Sequence, residues 1–120
     1  MFGMKVLRCL DLLGIGTRRI GPQLSTETRR RVELLFRPED QLQATELLDL
    51  QCGYSIPGFK RANARDVERV RFAALKLSDG DLTKLRRAVE LAQLDFRDLL
   101  MSAGFGEVTA HESWLPGKRW

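Results

Sequence analysis

The chain has 120 residues, a net charge of +4 and 43% hydrophobic residues. That length fits one domain, able to bury roughly two-thirds of its unfolded surface without disulfide or metal staples. Two widely separated cysteines, Cys9 and Cys52, and a single histidine exclude a disulfide framework and the close ligand pairs of structural zinc, and no apolar run reaches membrane-spanning length.

The surplus charge is uneven. Residues 1–37 hold eight basic and three acidic side chains, whereas the remainder holds twelve and thirteen. Residues 1–28 read as a basic N-terminal arm, of the kind that binds an anionic surface or is simply solvated. Within it, Met1–Leu13 suits a short helix, but Arg8 and Asp11 interrupt the apolar run that a signal peptide needs. Gly14, Gly16, Gly21 and Pro22 break that segment, and Thr17–Thr28 is a polar linker. The compact domain is expected over residues 29–120.

From Arg31 to Arg37 the pattern alternates. Val32, Leu34 and Phe36 fall on one side, Arg31, Glu33 and Arg37 on the other, with Leu35 the exception. Such alternation predicts a strand. Its backbone needs a partner, which Tyr54–Ile56, Glu107–Ala110 or a second copy of the chain would supply. Pro38 suits the first position of a helix, and Glu39 and Asp40 complement its positive end. That helix is expected over 38–52, with Gly53 as a left-handed exit. Leu42, Ala44, Leu48 and Cys52 form a broad face while Leu47 and Leu50 point elsewhere, which predicts cover on two sides.

Residues 54–63, with Pro57 and Gly58, read as a loop. The next helix, 64–77, places Val67, Val70, Ala73, Ala74 and Leu77 on one arc. Ser78-Asp79-Gly80 is a tight connection, which makes the helices on either side antiparallel or sharply angled neighbours. Asp81 then caps a helix over 82–93, with Leu82, Leu85, Ala88, Val89 and Ala92 on one face. Asp95 caps another over 96–103, and Gly104 ends it, with Phe105 placed to touch Leu100 in a Schellman closure. Trp114 is expected to fold back onto the body. The fold class is thus α+β, predominantly α-helical, with one short strand at 31–37 in a small sheet and helices at 38–52, 64–77, 82–93 and 96–103 around one leucine-rich core.

Phe72 stands out on the 64–77 helix. It lies opposite the apolar arc, among Arg65, Arg69 and Lys76. An aromatic ringed by cations stacks on a nucleic-acid base, anchors a protein partner, or is covered by another part of its own chain. Leu91 repeats the pattern weakly near Lys84 and Arg87, and packing of Leu91 and Leu94 against the helix that follows accounts for it. Cys52 and His111 are the only nucleophile and base on offer. Cys52 sits at a helix C-terminus, where the dipole raises a thiol pKa, so a buried cysteine and a surface histidine are expected instead. Gly14-Ile15-Gly16 lacks the third glycine of a dinucleotide loop, and no Walker lysine follows any glycine run.

Together these features point away from catalysis. They indicate a cytoplasmic protein–protein interaction module without cofactor or metal, acting on a protein partner or as a homodimer, with no membrane role. The alternative is a nucleic-acid binder using the basic arm and the Arg65/Arg69/Phe72/Lys76 face, whose affinity would fall steeply with salt.

Overall fold

The computed structural model describes residues 24–120. The short helix and glycine breaks expected before that point, and most of the basic arm, lie outside the described residues. Among the described residues there are four helices in chain order: α1 Thr26–Leu35, α2 Pro38–Gln51, α3 Ala64–Ser78 and α4 Leu82–Ala103. The helical class is as expected. The strand is not: no strand occurs among the described residues, and 31–37 forms the second half of α1 and the turn after it.

The reason lies in a pattern that serves both periods. Thr28, Arg31, Val32 and Leu35 recur at helical spacing and are all buried, so Leu35, the exception to the alternation, belongs to the true face. Arg31, which a strand would turn outward, is only 4% exposed. Ser25 starts the helix. Its hydroxyl accepts from the Thr28 backbone N–H at 3.1 Å and donates to Glu68 of α3 at 2.8 Å. Leu24 and Thr28 are buried too, so the packed body reaches back past Arg29. The two candidate partner strands are not extended either. Residues 53–62 run through successive three-residue turns (Ile56 N–H to Gly53, Phe59 to Ile56, Ala62 to Phe59), and 107–114 do the same.

The remaining helices follow their expected signals. Asn63 caps α3 through its side-chain oxygen, which accepts from the Asp66 N–H at 2.8 Å. Asp79 and Gly80 both take positive φ in the reversal to α4, and a side chain at Gly80 would strike the Leu35 carbonyl at 2.5 Å. Asp81 caps α4 by accepting from Thr83 and Lys84. α4 is two helical stretches joined across a kink. Asp95 leaves helical geometry (φ −160°, ψ 92°), and its carboxylate accepts from the N–H groups of Arg97 and Asp98, capping the second stretch. At the end Gly104 has φ +79°, its N–H reaches Met101 and that of Phe105 reaches Leu100, the two bonds of a Schellman motif.

α3 and α4 share the largest interface; α2 packs on α4, and α1 touches α2 and α3. Their core includes Phe36, Leu48, Val70, Leu85 and Leu99, all at 0% exposure. α2 meets both α4 and α1: Ala44, Leu48 and Cys52 are buried and Leu47 packs partly against the core, while Leu42 is 64% and Leu50 57% exposed. Leu94, expected to pack on the following helix, is 86% exposed because the break at Asp95 leaves it on the outside. The 53–62 loop is pinned to α4 by an edge-on contact of Phe59 with Phe96, centroids 4.7 Å apart.

Candidate functional site

The structure brings Arg65, Arg69, Phe72 and Lys76 together on one side of α3, and that side is roofed by the chain's own C-terminal segment. Phe72 is 1% exposed. His111 and Trp114 meet its ring at centroid distances of 5.5 and 6.0 Å. The Arg31 guanidinium lies 4.1 Å from its centroid, near enough for a cation–π contact. Phe105 completes the cluster against His111 and Trp114.

Each cation on this face has an intramolecular partner. Arg69 donates from Nε and Nη2 to the Phe105 carbonyl at 3.0 and 2.7 Å, and from Nη2 to that of Gly106 at 2.7 Å. Lys76 donates to the Ala103 carbonyl at 2.9 Å, at the end of α4, and sits 4.9 Å from the Phe105 ring centroid. Arg65 pairs with Glu112 at 3.2 Å, both side chains about half exposed, an arrangement of little energetic weight. Arg31 donates from Nε and Nη2 to the Trp114 carbonyl at 3.0 and 2.7 Å, and its Nη1 meets the Glu27 carboxylate at 2.8 Å. Arg31 in turn holds the Glu27 carboxyl below the usual range.

These bonds share a chemical logic. The last carbonyls of a helix have no intrahelical donor, and side chains and distant backbone supply one here. Lys76 serves α4. For α2 the donor is Arg71, whose Nε reaches the Cys52 carbonyl at 2.8 Å. At α1 the chain end returns: the Arg119 N–H reaches the Leu34 carbonyl and the Trp120 indole N–H that of Glu33, both at 2.9 Å. Arg71 is 5% exposed and lies 4.0 Å from the Asp49 carboxylate. Gly53 makes room for it, since a Cβ there would stand 2.6 Å from Arg71 Nη2. Gly53 is not the left-handed exit expected: among the described residues the positive-φ glycines are 58, 80 and 104. It is small because an arginine lies on it.

Arg31 and Arg71 are the functional-looking residues that sequence reasoning missed. Arg71 had a visible signal, since it shares a stripe with Val67, Ala74 and Ser78 at helical spacing. His111, expected at the surface, is 0% exposed, and neither ring nitrogen has a hydrogen-bond partner among the described residues. Burial lowers its pKa from the ordinary 6.5, Glu112 and Glu68 opposing and Arg69 and Arg65 assisting. The structure does not pair it with Cys52. The Cys52 thiol is fully buried, its Sγ 3.9 Å from the Val70 carbonyl, and desolvation pushes its pKa up to about 12 against a smaller opposing pull from Arg71. A thiol so hard to ionise is a poor nucleophile. Among the described residues no three His, Cys, Asp or Glu side chains converge as a metal set would, and no helix is long and apolar enough to cross a membrane.

Compared with known proteins, the chain matches no family model, no curated protein and no solved structure.

Proposed function

We propose that the protein is a non-enzymatic interaction module that binds another protein, or a second copy of itself, through the outer side of α2. One observation carries this reading. Leu42 and Leu50 stand outward at 64% and 57% exposure on a helix that buries Leu48 fully and Leu47 in part. Glu46 lies between them at four-residue spacing, and Glu39 is exposed on the preceding turn. Beside Leu42 a cleft of about 280 Å³ opens between α1 and α2, lined by Arg29, Val32, Glu33, Gln41 and Thr45. An apolar side chain flanked by basic ones complements that surface in shape and charge.

Nucleic-acid binding through α3 has less support. Arg69 and Lys76 already satisfy carbonyls of their own chain, Arg65 faces a carboxylate, and Phe72 has no free face for a base. A cytoplasmic, reducing setting suits the unpaired thiol of Cys52. The test is the double change Leu42→Glu and Leu50→Glu, followed by sedimentation velocity and by capture of partners from a lysate. Exposed substitutions of this kind move stability by about 0.5 kcal/mol or less, so folding should persist while self-association or capture weakens at least tenfold. Unchanged association in a folded variant would sink the proposal.

A further inference from the structure

The C-terminal segment, residues 105–120, has no helix or strand, yet it covers the aromatic and cationic side of α3 and ends on α1. What holds it down is mostly arginine: Arg69 to Phe105 and Gly106, Arg31 to Trp114, Arg65 to Glu112, and its own Arg119 to Asp79 at 2.9 Å. Arginine stays protonated at any physiological pH. His111 is different. It is the one histidine in the chain, it is inserted at the centre of the covered face, and both its nitrogens are unpartnered. A neutral imidazole tolerates that place at the cost of two unmade hydrogen bonds. An imidazolium there would carry a full charge and two unmet donors among Phe72, Phe105 and Trp114.

We propose that this segment is a proton-sensitive strap: protonation of His111 ejects it from the aromatic cluster, and the segment lifts off α3 while the helices stay folded, uncovering Phe72 with Arg31, Arg65 and Arg69.

Charged groups face His111 from α1, from α3 and from the strap itself. From α1, Arg31 already occupies a π-face of Phe72 at 4.1 Å, so a second cation gains little from that ring and is repelled by the first. From α3, Arg65 and Arg69 oppose a positive imidazole and Glu68 favours it; Glu68 is engaged by the Ser25 hydroxyl at 2.8 Å. Lys76, also from α3, lies over Phe105, the other ring that His111 touches. Within the strap, Glu112 favours the charged form, but it is about half exposed and paired with Arg65. Desolvation outweighs these attractions, and it lowers the pKa. The sign follows. A histidine that binds its proton less readily when covered than when free stabilises the closed strap above its ordinary 6.5, and that stabilisation is lost as pH falls below 6.5 toward the covered value. Across that window opening rises by up to about tenfold per pH unit.

The chain supplies its own reporters. Its two tryptophans, Trp114 and Trp120, both lie in the strap, whereas far-UV circular dichroism reads the four helices. The full-length protein is titrated from pH 8 to 5.5, a range in which ordinary carboxylic acids, with pKa values of about 4, remain ionised. The lone imidazole is followed by NMR in the same samples. Expected are an imidazole midpoint below 6.5, a rise in acrylamide quenching of tryptophan over the same range, and unchanged helical dichroism. In His111→Phe, which keeps an aromatic ring in the cluster, the quenching should be flat. The proposal is overturned by an imidazole midpoint at or above 6.5, by flat quenching in the unaltered protein, by the same rise in the variant, or by quenching and helix loss occurring together. Should His111→Phe fail to fold, the three readings on the unaltered protein decide alone.

Discussion

Truncating Phe72 to alanine tests whether the C-terminal segment is an integral roof over α3. The ring is 1% exposed, which places about 1.5–3 kcal/mol in its removal from water. The substitution also leaves a cavity that His111 and Trp114, each held within the same small cluster, cannot fully close, so the total should reach about 3–5 kcal/mol. Arg31 adds to the loss. Its guanidinium, 4% exposed as a residue and 4.1 Å from the ring centroid, would stay buried without its aromatic partner, a contact worth about 0.5–2 kcal/mol. The upper half of the range is therefore expected. Urea unfolding followed by circular dichroism measures it. With a slope of about 1–3 kcal/mol/M for a small domain, the midpoint should fall by more than about 1 M with little change in slope. A loss below about 1 kcal/mol would mean that the ring is solvated in solution, that residues 105–120 do not rest on α3, and that the face is free for a partner after all.

Two further outcomes follow from the same contacts. Gly53→Ala should cost about 1–3 kcal/mol, because its new methyl would sit 2.6 Å from Arg71 Nη2 and Arg71 is pinned by the Cys52 carbonyl; in an Arg71→Met background most of that cost should vanish, and additive behaviour in the double-mutant cycle would refute the packing argument. The Cys52 thiol, raised from 9.0 to about 12 by burial, should react with a disulfide reagent at pH 8 only as fast as the domain opens, in a Cys9→Ser background. Since the folded value lies above the unfolded one, its contribution to stability is complete below pH 9.0 and declines as pH rises toward 12. Rapid labelling of the folded protein at pH 8 would contradict the burial of this group.

From Pro38 onward the helices were legible in the sequence because their signals act over one turn of backbone. Asp81 and Asp95 accept from N–H groups two and three residues ahead, and Gly104 allows Phe105 to close on Leu100 five residues back. Short-range bonds of this kind do not depend on what the helix later meets. In α1 the local signals were ambiguous. Val32, Leu35 and Phe36 satisfy a helix, while Val32, Leu34 and Phe36 satisfy a strand; the Ser25 cap and the burial of Arg31 under the C-terminal segment settle it. The candidate site was half legible. That Phe72 and its three cations share one side of α3 follows from spacing alone. What faces them is decided by contacts across 36 residues from Arg69 to Phe105 and across 83 from Arg31 to Trp114. The same holds for His111 and for Gly53, whose roles exist only once a distant aromatic or arginine arrives. A side chain's spacing states which neighbours it has on its own helix, but its burial and its pKa are set by whatever the rest of the chain brings over it, and that is a property of the tertiary fold.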